Sequence, residues 1–171
     1  LARGAGLLER RMRAEQESRP LIVLDSRCAE EASQRLDMAV RAAASLVVDL
    51  ARRGGCGLLT ADGGRALEID SRLAGWPAAR TRLALIAPGR RAPALAAHRR
   101  PGQIFYVAAE PVGRPPQILL ETGGMLVLPT TVGAPEGCSV AFTVCGCVGY
   151  ELRPRGGRGL APSARGTVVR G

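Results

Sequence analysis

Lysine is missing from this chain of 171 residues: all 24 basic side chains are arginine. With abundant Ala and Gly, this reads as a GC-rich coding sequence, so the arginine count alone carries little functional meaning. Aromatic residues are also scarce, at 3%. The core must therefore be built from Leu, Val, Ile and Ala, and nucleic-acid modules that stack bases on aromatics have little to work with. Histidine occurs once, as His98 beside Arg99 and Arg100. A Ser–His or Cys–His pair thus has a single candidate base, in a context that suits a solvated surface. No apolar run approaches the about 18 residues that a membrane span needs. The opening residues lack the pattern of a secretory signal. The chain starts at Leu1 without Met and reads as part of a longer protein, whose N-terminal anchor would precede it.

Several motifs are lacking as well. The stretch 25–31 after the first candidate strand contains no Gly, which excludes the dinucleotide fingerprint and the phosphate loop there. Glu30 and Glu31 suit the dipole of the next helix but would repel phosphate. No Gly-x-Ser-x-Gly nucleophile elbow occurs. The cysteines, Cys28, Cys56, Cys138, Cys145 and Cys147, are odd in number and do not form a disulfide framework. Cys145-Gly146-Cys147 lies in an apolar run. On a strand, i and i+2 share a face, so both thiols are expected in the core as small hydrophobes. A soft-metal or redox pair is the alternative, although zinc sites usually need two such pairs. Reduced thiols point to the cytosol.

What is present describes one α/β domain. The run Leu21-Ile22-Val23-Leu24, ended by Asp25, suits a strand buried on both faces. Within 30–53, Leu36, Val40, Ala43, Val47 and Leu50 recur at steps of three or four, one face of an amphipathic helix. Arg52 and Arg53 favour its C-terminal end, and Gly54-Gly55 offers a left-handed cap. Residues 56–60 make a second strand. Asp62-Gly63-Gly64 predicts a tight turn into an edge strand at 65–69. A second helix is expected within 71–87, a helical turn at 93–98, and further strands at 104–108, 125–128 and 140–144, the last extending toward Leu152. The fold class is therefore a mostly parallel, Rossmann-type sheet with helices on both faces and one antiparallel edge strand. Its domain runs over 20–152. Residues 1–19 read as the tail of a preceding region, and 153–171, rich in Gly, Arg, Pro and Ser, as a disordered basic tail.

Sites in such sheets assemble at the carboxyl ends of the strands. Those ends supply Asp25, Ser26, Arg27, Thr60, Asp62 and Glu110, expected to line a partner-binding crevice. Asp25 and Glu110 are also the weak candidates for a magnesium ion, with Ser26 and Thr60 as added oxygens. Without a metal, Asp25 is expected to cap the following helix and Glu110 to be solvated. Arg27 favours that outcome, because a guanidinium can take the place of the cation's charge.

The order of these segments resembles the von Willebrand factor A-like part of the family called domain of unknown function 58. The likeness rests on 21–27, on the helix containing 39–50, on the Gly-Gly break and on Gly57-Leu58-Leu59-Thr60. The opening 2–11 looks like the tail of that family's signature segment. The resemblance implies a bacterial protein, membrane-associated through N-terminal helices, at the cytoplasmic face. It implies an adaptor or chaperone-like partner of MoxR-type AAA+ ATPases, in a family for which no enzymatic activity is established. Von Willebrand A domains carry a metal-ion-dependent adhesion site, Asp-x-Ser-x-Ser. Here Asp25-Ser26-Arg27-Cys28-Ala29 keeps the Asp, puts Arg27 and Ala29 where the serines stand, and has Glu110 where the fold often has Asp. The adhesion site reads as degenerate.

The expected function is thus a non-enzymatic protein-binding domain, without cofactor or catalytic residues. Two alternatives come from other classes. One is a small hydrolase with a crevice metal. The other is a nucleic-acid or anionic-lipid binder, working through arginine clusters at 3–19, 90–100 and 153–170 in a chain of net charge +9.

Overall fold

The computed structural model describes residues 19–62, 64–95 and 102–152. The expectations for 1–18, for the turn containing His98 and for the tail 153–171 fall outside the described residues. Seven strands form one sheet: β1 (Leu21–Asp25), β2 (Cys56–Thr60), β3 (Leu67–Ile69), β4 (Ile104–Ala108), β5 (Met125–Pro129), β6 (Ser139–Val144) and β7 (Cys147–Glu151). Three helices join them: α1 (Ser33–Gly54), α2 (Trp76–Ala84) and α3 (Gln117–Thr122). The strand order is β3-β2-β1-β4-β5-β7-β6. β2, β1, β4 and β5 run parallel, and β3 pairs antiparallel with β2 at one edge.

The other edge differs from the expectation of one antiparallel strand. Residues 139–151 fold into the hairpin β6–β7, antiparallel to β5 through β7. Val144 pairs with Cys147, which leaves Cys145-Gly146 as a two-residue loop. Both loop residues have positive φ, 46° and 76°, as a type I′ turn requires. The apolar appearance of this stretch conceals the turn, because Cys stands where Asn or Asp usually marks it.

Alternation divides the sheet's two faces. Ile22, Leu24, Leu58, Phe105, Val107 and Val127 point to the side covered by α1 and α2. Leu21, Val23, Leu59, Tyr106, Leu126 and Leu128 point to the side covered by α3, Leu95 and Val132. Helices thus lie on both faces. The long helix fits the predicted periodicity, but its buried stripe is centred on Ala39, Ala43 and Val47, with Val40 and Leu50 at its margins. Small alanines let α1 lie close on the sheet. A 3-10 turn over Glu30–Ala32 precedes α1, and no side chain caps either. At its end Gly55 has φ 99° and ψ 156°, so the cap departs from the left-handed form expected of Gly54-Gly55.

Two glycines are fixed by close approach. A Cβ on Gly75 would collide with the Glu68 carbonyl oxygen, so only Gly lets α2 start against β3. A Cβ on Gly149 would collide with the Phe142 ring. Phe142 crosses over Gly149 toward Phe105, with ring centroids 6.1 Å apart, and so ties the hairpin to the core.

Candidate functional site

The chain runs outward from β1 to β2 and β3, then crosses back to β4 and β5 on the other side. The order of strands therefore reverses between β1 and β4, where doubly wound sheets open a crevice beyond their carboxyl ends. Here that crevice is an open cleft of about 540 Å³ with Asp25, Arg27, Cys28, Glu110 and Arg114 among its lining residues.

Asp25 lies at its floor. Its side chain is 4% exposed, against 45% for Arg27. Burying a carboxylate is costly unless it is paired and hydrogen-bonded, and Asp25 is both. The Arg27 Nε donates to both carboxylate oxygens, at 3.0 and 3.1 Å, and Nη2 donates to Oδ2 at 2.7 Å. The Arg27 main-chain N–H adds a bond to Oδ1 at 3.1 Å. Tyr106 completes the set, its hydroxyl donating to Oδ2 at 2.6 Å. This contact follows from register. Asp25 pairs with Ala108 and Val23 with Tyr106, so Tyr106 lies two residues below Ala108 on the Asp25 face.

The pairing shifts both partners. The hydrogen bonds to Asp25 hold the Arg27 guanidinium well above its ordinary value, against some loss from burial. Burial, and then the bond to Asp25, push the Tyr106 phenol up. Both groups keep their protons throughout the physiological range. The Cys28 thiol in the same cleft is raised chiefly by burial, which makes it a poor nucleophile.

A second ion pair stands across the opening. Arg35 of α1 donates to Glu110 at 2.9 Å, with side chains 38% and 30% exposed. Neither carboxylate behaves as expected for a metal-free crevice. Asp25 does not cap the helix, because the nearer Arg27 takes it. Glu110 is not simply solvated, because α1 passes within reach.

Of the six predicted crevice residues, the structure brings Asp25, Arg27 and Glu110 to the cleft. Ser26 is buried beside Gly89, whose N–H donates to its carbonyl at 2.9 Å. Thr60 pairs with Leu24, one residue out of phase with Asp25, and so faces the α1 side. There it is buried, and its hydroxyl has no hydrogen-bond partner among the described residues. Asp62 is exposed on the turn toward β3. The sequence reading missed Tyr106, Arg35 and Arg114. Tyr106 left a usable signal: a buried strand with a phenol needs a partner for its hydroxyl. Arg35 and Arg114 left none.

The expectation that both Cys145 and Cys147 face the core is corrected. Cys147 is buried in β7, whereas Cys145 is exposed at the turn, 3.1 Å from Ser45 Oγ on α1. All five cysteines are free thiols. Among the described residues no group of three or more His, Cys, Asp or Glu stands together as a metal site. No described helix is long and apolar enough to cross a membrane.

Comparisons with protein-family models, with curated proteins and with solved structures find no significant match. The site is therefore read from its own geometry.

Proposed function

We propose that the chain is a non-enzymatic interaction domain, of the von Willebrand factor A-like kind carried by the domain of unknown function 58 family. In this reading it docks a partner protein, a MoxR-type AAA+ ATPase, in the cleft between the ends of β1 and β4. The observation that carries the reading is the state of Asp25. It is the buried acid of the switch-point crevice, and its oxygens are taken up by Arg27 and Tyr106. A carboxylate so occupied is neither an available general base nor a free ligand for a hard cation. Magnesium also fits the donor set badly, since the Arg27 cation already neutralises Asp25 and Thr60 lies on the opposite face. What remains is a rigid, charged concavity rimmed by loops, which is suited to recognition.

The test uses a purified MoxR-type AAA+ ATPase and reads binding by biolayer interferometry. Gly113 lines the cleft, and a Cβ there meets nothing within 4 Å. Gly113→Trp should therefore fill the opening without changing its charge or disturbing the fold. Binding of the ATPase to the wild-type chain, weakened about tenfold or more by Gly113→Trp with an unchanged melting temperature, supports the reading. No binding, or binding indifferent to Gly113→Trp, overturns it.

A further inference from the structure

We infer that the cleft recognises an acidic segment of its partner, and that Arg114 and the outer edge of Arg27 receive the partner's carboxylate side chains. The inference rests on the docking reading and gives it a chemistry. The charges of the cleft are unequal once their pairing is considered. Asp25 is occupied by Arg27 and Tyr106, and Glu110 by Arg35. An incoming cation would have to break one of these pairs. An incoming carboxylate would not. Arg27 spends Nε and Nη2 on Asp25, while its Nη1 makes no hydrogen bond among the described residues. Its side chain is 45% exposed although its partner is buried, so the guanidinium is held in a fixed position with one edge toward the cleft. That pre-organisation lowers the entropy lost on binding. Arg114 is exposed on the loop between β4 and α3, and no carboxylate among the described residues lies within salt-bridge distance of it. Arg27, Arg35 and Arg114 thus stand against Asp25 and Glu110, with the unmatched charge positive.

The probe is a fluorescein-labelled hexaglutamate peptide blocked at both ends, read by polarisation at low and at high salt. A chain of net charge +9 attracts any polyanion diffusely, so the control removes one charge elsewhere. Arg80→Gln, exposed on α2, serves for this. Arg114→Gln should weaken hexaglutamate binding about fivefold and Arg114→Glu further, while Arg80→Gln changes it less than about twofold, and the difference should shrink at high salt. Equal losses from Arg80→Gln and Arg114→Gln would reduce the effect to diffuse charge and overturn the inference. So would absence of binding at low salt. Binding of a hexaglutamine peptide with a free C-terminus, in place of blocked hexaglutamate, would reassign the site to a chain terminus. An Arg114 dependence confined to a uridine hexanucleotide would reassign it to nucleic acid. The two proposals fail separately. If Gly113→Trp abolishes ATPase binding and Arg114→Glu leaves it intact, the docking site stands without its acidic ligand. If hexaglutamate depends on Arg114 while the ATPase ignores Gly113→Trp, the anion site stands without that partner.

Discussion

β1 and β6 are both mostly apolar and meet opposite fates. Leu21–Asp25 is buried at every position, while Ser139–Val144 is exposed or half-buried along its whole length, with Val140 65% exposed. β1 sits at the centre of the sheet between β2 and β4, with helices on both sides. β6 pairs only with β7 and ends the sheet. Composition contributes, since β1 carries four large aliphatics while β6 mixes Ser and Thr with Val, Ala and Phe, and position does the rest. The two regions also hold their polar groups differently. At the end of β1, the buried carboxylate of Asp25 is fixed by an arginine and a tyrosine. At β6, the bulge between Val140 and Phe142, the positive-φ turn and the Phe142–Gly149 contact shape an edge that water reaches.

The contrast is most easily broken in the centre. Ile22→Ala deletes a fully buried side chain between α1 and the sheet, and should cost about 2–5 kcal/mol in urea melts. A cost under about 1 kcal/mol would mean that the centre repacks as freely as the edge. Next comes Tyr106→Phe, which keeps the ring and removes the hydroxyl bond to Asp25. A hydrogen bond to a buried charged group predicts a loss of about 1.5–3 kcal/mol. Finding no loss would mean that Arg27 alone satisfies the carboxylate.

Gly149→Val tests the hairpin. Its new side chain must displace Phe142, at an expected cost of about 1–3 kcal/mol. Adding Phe142→Ala should recover part of that cost, and a fully additive double variant would show that the ring does not lie over Gly149.

Alkaline titration extends the comparison to the neighbouring strands β2 and β7, each of which has one buried thiol. Burial pushes Cys56 of β2 up to about 12 and Cys147 of β7 up to about 11, from an ordinary 9.0. A raised folded value means that the unfolded chain releases its proton first. The contribution is full below pH 9 and is lost as pH rises through the folded values. Each thiol steepens the decline by about 1.4 kcal/mol per pH unit within its window. Stability of Cys56→Ala should decline less steeply up to about pH 12, and that of Cys147→Ala only up to about pH 11. The smallest effect belongs to the edge. Val140→Thr should change stability by less than about 0.5 kcal/mol, and a larger loss would show that something covers β6.

Much of the fold was legible because its elements are local. The four apolar runs of the parallel core, the periodic helix and the edge strand that follows Asp62 each carry their signal within about twenty residues. The β6–β7 hairpin was not legible, because its turn uses Cys145 where turn chemistry leads one to look for Asn or Asp. The cleft was legible in half. Asp25, Arg27 and Glu110 could be picked because they follow strands, and strand ends face the crevice. Thr60 also ends a strand, yet lies one residue out of phase and faces the other side.

By itself, then, the sequence determined that strands and helices alternate, that the core of the sheet is parallel, and that charged residues follow β1 and β4. These depend on side-chain periodicity and on residues near one another in the chain. Only the tertiary structure decided which strand became the centre, that Arg35 reaches Glu110 across 75 positions, and that Tyr106 reaches Asp25 across 81. Such contacts depend on register between strands and on how a helix lies across the sheet. Both are set by packing of the whole core, and no local stretch of residues encodes them.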